Sequence, residues 1–220
     1  MVRKMMFSAL MAVVLTSWLH AEEAPEAKPA SPPDEIVIAQ AYLLPNCPIS
    51  NKSIGSMNAA ASKMIDGRAV MVCCPGCFNR YEKTPEKYKA KIDAQVIEMQ
   101  SESYPLTTCL ASGRPIDVKG TPTDAVYGNR LMRFCCGGCA QYVINDQARL
   151  AKALKTLDQA AIAKQKPNSK ATTCPISNEP LGEDSVDVVV GGTLVRVCCD
   201  QCRKKVVKSP REVMVAKSEG

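Results

Sequence analysis

Histidine is almost missing from this chain: the one copy, His20, sits in the first apolar stretch. Without it the rest of the sequence lacks the side chain that most often moves protons near neutral pH, so acid–base enzymology loses its usual agent. No glycine-rich phosphate loop and no serine nucleophile elbow occurs either. Aromatics are only 5% of the residues, with a single tryptophan. Phe78, Tyr81, Tyr88, Phe134 and Tyr142 are therefore expected to fill small cores rather than to form a stacking platform. Basic residues form no dense block, so the net charge of +6 reads as solvated surface and no nucleic-acid partner is expected. Asp and Glu are scattered along helical stretches, and Mg²⁺ and Ca²⁺ find no carboxylate cage.

Long apolar runs are confined to the start. Arg3 and Lys4 precede "MMFSALMAVVLTSWL", and Ala21 offers a small residue at a cleavage position before "EE". This is the pattern of a secretory signal peptide over 1–21, too short for a comfortable membrane span and without a stop-transfer flank. No cysteine follows closely enough to suggest a lipid anchor. The expected product is exported, periplasmic or secreted, and begins near Glu22 with no histidine. It keeps 26 basic and 22 acidic residues, a net charge of +4. Residues 22–40, with "APEAKPASPPDE", read as a Pro/Ala-rich extended tether.

Cysteine is what the chain has in excess. The twelve copies fall into three sets: Cys47, Cys73, Cys74 and Cys77; Cys109, Cys135, Cys136 and Cys139; Cys174, Cys198, Cys199 and Cys202. The first two sets are offset by 62 residues at every position, and the third has two residues fewer between its first and second cysteines. "CPISNKSIG", "CLASGRPID" and "CPISNEPLG" begin the copies, the middle one being the loosest. Each copy then offers a two-residue hairpin signal, Asp66-Gly67, Gly128-Asn129 and Gly191-Gly192, suited to primed turns. The strands that follow, "RAVMVCC", "RLMRFCC" and "TLVRVCC", all end in paired cysteines. Thr84-Pro85 and Ser209-Pro210 then punctuate helical stretches in the outer copies. The middle copy reads as one longer Ala/Leu/Lys helix, "AQYVINDQARLAKALKTLDQAAIAKQ". The sequence thus predicts an α+β chain of three small treble-clef-like modules, each a cysteine turn, a β-hairpin and a helix. Their expected spans are 41–103, 104–168 and 169–220, joined by helical or polar connectors.

A module this small buries little apolar surface and needs a metal or disulfides as reinforcement. The order of knuckle, hairpin and helix start brings distant thiols together, and a helix N-terminus favours thiolate. The pattern resembles the YHS/TRASH group of small metal-binding modules, in which a lone cysteine precedes a hairpin ending in "F/Y-C-x-x-x-C" and a helix. The matching residues are Cys47, Cys73 and Cys77, then Cys109, Cys135 and Cys139, then Cys174, Cys198 and Cys202. "TPEKY" after the first cluster is similar to the acidic-Pro-x-x-Tyr segment of that family. The resemblance implies a treble-clef-type fold and binding of soft or borderline metals, in sensing or trafficking. Cys74, Cys136 and Cys199 depart from it, since the family often has serine or another residue there, and whether each site uses three or four thiolates stays open.

Sulfur-only sites suit tetrahedral Zn²⁺, the expected ion, or lower-coordinate Cu(I) as its alternative; Met71 and Met132 read as hairpin packing rather than thioether donors. All twelve cysteines are candidate metal ligands, and the expected partners are metal ions. The expected function is metal capture, trafficking or sensing without catalysis. Two other readings compete: a zinc-stapled interaction scaffold, and a disulfide-bonded secreted scaffold. "CPGC", "CGGC" and "CDQC" also have the spacing of thiol oxidoreductases, but no βαβ run surrounds them.

Overall fold

The computed structural model describes residues 32–56 and 59–218, with side chains to 216. The signal peptide and most of the tether lie outside the described residues. Among the described residues, three antiparallel hairpins carry the architecture, each a separate two-stranded sheet. They are β1 (Ala61–Ile65) with β2 (Arg68–Val72), β3 (Thr123–Tyr127) with β4 (Arg130–Phe134), and β5 (Val186–Val190) with β6 (Thr193–Val197). Registers Ile65↔Arg68, Tyr127↔Arg130 and Val190↔Thr193 leave the expected two-residue turns. Both turn residues take positive φ in the first and third, Asp66 (48°) with Gly67 (75°) and Gly191 (56°) with Gly192 (87°). Gly128 alone does so in the second, the φ pattern of a type II′ turn. Each cysteine cluster opens a helical pair: α2 (Gly76–Lys83) with α3 (Pro85–Ser101), α4 (Gly137–Ile144) with α5 (Gln147–Gln165), and α6 (Asp200–Lys208) with α7 (Pro210–Ser218). The expected α+β class of three small modules is the observed one.

Three local expectations are corrected. The middle helix does not run through: it breaks at Asn145–Asp146, where the Asp146 carboxylate accepts the Arg149 N–H (2.9 Å) and caps a new helix. All three copies therefore share a helix–break–helix plan, with proline marking the break only in the outer two. The end of the tether is also not extended, since Asp34–Ala39 form a helix, α1, with Ile36, Ile38 and Ala39 buried. Ile36 and Ala39 join the second module's core, and Ile38 joins the third's. Phe78, Tyr81 and Phe134 are buried as expected and Met132 is fully enclosed. Tyr142 differs: it is 55% exposed, and the Arg149 guanidinium sits 3.8 Å from its ring centre.

A lone two-stranded hairpin is marginal in water, so each must be covered. The covering element comes from the neighbouring copy as well as its own. Helix α3 packs on β3 and β4, and α5 packs on β5 and β6. The join is specific and repeats. The Gln100 amide donates to the Asn129 carbonyl (2.9 Å), while its oxygen accepts the Leu131 N–H (2.9 Å). Gln165 does the same one module later, with the Gly192 carbonyl (2.7 Å) and the Leu194 N–H (2.8 Å). The first hairpin is met by α1, whose Gln40 carbonyl accepts the Ala69 N–H (2.8 Å). Asn129 ties these contacts together: its backbone N–H reaches the Ala39 carbonyl (2.7 Å), and its side chain reaches the carbonyls of Gln40 (2.9 Å) and Ala69 (3.0 Å). A Cβ on Gly128 would lie 2.7 Å from the Ala39 oxygen, so only glycine allows this approach. Own-copy ion pairs, Arg68–Asp93 (2.6 Å) and Arg130–Asp158 (3.0 Å), brace hairpin to helix.

Replacing Gln100 with alanine strands a buried carbonyl and a buried N–H together. Urea denaturation of Gln100→Ala should show a loss of roughly 2–4 kcal/mol with little change in m-value, the cost of leaving such groups unpaired. A loss below about 0.5 kcal/mol, the size of an ordinary surface substitution, would mean the docking contact contributes little.

Candidate metal centres

Each centre begins with a tight turn. The Cys47 N–H donates to the Lys52 carbonyl (2.8 Å) and the Asn51 N–H returns to the Cys47 carbonyl (2.9 Å), with Asn51 at φ 59°. Cys109 repeats this with Arg114 (2.7 Å) and Gly113 at φ 69°, and Cys174 with Glu179 (2.8 Å) and Asn178 at φ 59°. Asparagine and glycine are the residues that enter this left-handed region at least cost. The hairpin then returns the chain, and β2, β4 and β6 end just before Cys73, Cys135 and Cys198. Both members of each cysteine pair therefore lie beyond the strand. Cys77, Cys139 and Cys202 follow in the first turn of α2, α4 and α6.

This path brings nine of the twelve cysteines into three triads. In each of Cys47/Cys73/Cys77, Cys109/Cys135/Cys139 and Cys174/Cys198/Cys202, all three Sγ atoms lie within 4.8 Å of one another. Within the triads the sulfurs of Cys73 and Cys77 lie 3.8 Å apart, those of Cys135 and Cys139 3.7 Å, and those of Cys198 and Cys202 3.6 Å. Zn–S bonds of about 2.3 Å at tetrahedral angles set sulfurs about 3.8 Å apart, so the donor set fits a single ion. A disulfide needs about 2.05 Å, and all twelve cysteines are free thiols. Cys74, Cys136 and Cys199 stand outside the triads and are more exposed than the turn cysteines. Cys74 Sγ is 3.8 Å from Cys77 Sγ, and Cys199 Sγ is 3.6 Å from Cys198 Sγ.

The triads are electrostatically uneven. Burial pushes the Cys47 thiol up, but hydrogen bonds from the Ser50 hydroxyl and from the N–H groups of Ser50, Cys73 and Ile49 outweigh it and hold the thiol down at about 7. Cys109 is held at about 6 against the same burial by the Ser112 hydroxyl and the Cys135, Ser112 and Ala111 N–H groups. Cys174 is also held at about 6, through the Cys198 N–H, the Ser177 hydroxyl and its own turn. The helix cysteines go the other way. Burial, then the neighbouring thiols, push Cys77 and Cys139 up to about 12, and Cys202 is raised as well. Each knuckle thus stabilises one negative sulfur, and crowding opposes a second until a cation arrives.

The serine is a feature that spacing of the cysteines alone misses. Ser50 Oγ lies 3.2 Å from Cys73 Sγ, Ser112 Oγ 3.6 Å from Cys135 Sγ, and Ser177 Oγ 3.4 Å from Cys198 Sγ. Its signal was present as "C-x-x-S" at the start of every copy.

The triple substitution Ser50→Ala, Ser112→Ala and Ser177→Ala should move the most acidic thiols of the metal-free protein up toward the ordinary thiol range. Ultraviolet thiolate absorbance against pH reads this directly, and an unchanged titration would remove the hydroxyls from the account. Beyond the chain itself, no family model, no curated protein and no solved structure matches it.

Proposed function

We propose that this chain is an exported, non-enzymatic protein that captures soft metal ions, one in each module, for trafficking or sensing. Zn²⁺ is the default ion and Cu(I) the contender. One observation carries the reading: the same three-sulfur triad recurs three times, each with one sulfur prepared as thiolate by its own turn. A dication offsets the repulsion that keeps the other thiols protonated, so uptake is coupled to proton release. The sulfur-only donor set favours Zn²⁺ or Cu(I) over hard cations. The sequence resemblance to YHS/TRASH modules points the same way, as does the signal-peptide pattern at the amino terminus.

A structural-scaffold reading is favoured by the place of the triads, whose cysteines belong to the hydrophobic core of each module. The two readings separate on metal removal. A structural site unfolds when stripped, whereas a capture site gives up its ion and keeps its fold.

Native mass spectrometry of protein purified without added metal, reductant or chelator should find three ions, one for each triad. Cys77→Ser should carry two, with the second and third modules still loaded. A metal-free chain lighter by two hydrogens per bridge would instead establish the disulfide scaffold. Competition titration should show affinity falling as pH drops through about 7 and then about 6, where Cys47 and then Cys109 and Cys174 take up protons. Affinity independent of pH over that window would contradict thiolate ligation.

A further inference from the structure

Three cysteines, one per module, are left over by the triads, and the same member is left over each time: Cys74, Cys136 and Cys199. Repetition at an equivalent position calls for a common physical account. The turn cysteines are sealed in, with Cys47 and Cys174 at 0% exposure and Cys109 at 3%. The leftover member is always on the solvent side, half-buried in the first two modules and exposed in the third. It is also close to the triad, with Sγ 3.8 Å from Cys77 in the first module and 3.6 Å from Cys198 in the third. That spacing equals the separation of two sulfurs bound to one ion, about 3.8 Å for zinc.

The approach to this sulfur is open. It is followed by Pro75-Gly76 in the first copy and Gly137-Gly138 in the second. A Cβ placed on any of these three glycines would meet nothing within 4 Å. In the third copy the following residues are Asp200 and Gln201, both exposed.

Building on the metal-capture reading, we propose that Cys74, Cys136 and Cys199 are transfer ligands rather than resident ones. Each takes the ion from, and returns it to, a thiol-bearing donor or acceptor at the mouth of its triad. The step is an associative ligand exchange. A bond forms between the ion and the flanking thiolate as the bond between the ion and a donor thiolate breaks. The ion then passes to the buried triad and the flanking sulfur is released. No electron moves, and the proton lost by the entering thiol is matched by the one taken up by the departing thiolate. The partner class is a small thiol-rich metal carrier or a low-molecular-weight dithiol, since a sulfur ligand competes best with the triad for a soft ion during the crossing.

The test uses the full chain loaded with zinc and the triple substitution Cys74→Ser, Cys136→Ser and Cys199→Ser, with Cys199→Ser alone as a second variant at the exposed position. Stoichiometry and affinity come from competition with a chelator, and the rate of zinc transfer to a water-soluble dithiol is followed separately. The triple variant should keep three ions and an affinity within about threefold of the wild type, while transfer slows by about tenfold or more, as expected when an entering ligand is lost. Cys199→Ser should slow one third of the transferred zinc. An affinity loss as large as that of Cys77→Ser would make these cysteines fourth resident ligands and overturn the proposal. Unchanged transfer would overturn it too. A wild-type chain that takes up no zinc would sink the metal-capture reading itself, and is seen before any variant is compared.

Discussion

Three thiol sulfurs held within 4.8 Å of one another are the constraint around which each module is organised. Sulfurs that close cannot all ionise in a buried setting unless a cation joins them. The fold resolves half of this problem without a metal. Nearby N–H groups and a serine hydroxyl hold the turn sulfur toward thiolate, and burial leaves the helix cysteine protonated. The site is therefore prepared for an ion in charge as well as in shape. Each triad also lies in its module's apolar core, so the donor atoms cannot spread apart without opening packed side chains.

The modules depend on one another for the rest of their cover. A hairpin of two five-residue strands has two faces and two edges, and its own helix cannot satisfy them all. The missing partners come at the same place each time: the N–H two residues beyond the turn goes to the main-chain carbonyl of Gln40 or to the side-chain oxygen of Gln100 or Gln165. Helix α1 does this for the first hairpin while its apolar residues enter the cores of the second and third modules. The hairpin turns thus meet the docking elements at one end, and the sulfur triads form at the other end of the strands. The described residues between 32 and 218 hold together as one compact unit, with its metal candidates set apart from its docking contacts.

What was legible in the sequence is what depends on local chemistry. Asp66-Gly67 and Gly191-Gly192 demand positive φ wherever they fall, Thr84-Pro85 and Ser209-Pro210 start helices, and cysteine spacing survives as a repeat because the knuckle, hairpin and helix have fixed lengths. What was hidden depends on distant partners. The break at Asn145–Asp146 has no proline, and an Ala/Leu/Lys pattern reads through it. Helix α1 is six residues between prolines and a turn, too short to announce itself, and it is fixed by burial against two modules. Gln100 and Gln165 are offset by 65 residues while the hairpins they meet are offset by 63, so the repeat alone does not align them. The resemblance had already singled out three cysteines of each quartet, but that the fourth stands outside the triad needed the fold, because the strands stop before the pair and free the two side chains to diverge.

The three sulfurs of each triad must dominate the shell around each ion. X-ray absorption at the metal edge of the zinc-loaded protein measures that shell directly. Sulfur neighbours at about 2.3 Å, with no dominant nitrogen or oxygen shell, are the predicted result. A first shell of nitrogen or oxygen at about 2.0–2.2 Å would place the metal elsewhere on the chain and contradict the triads as its site.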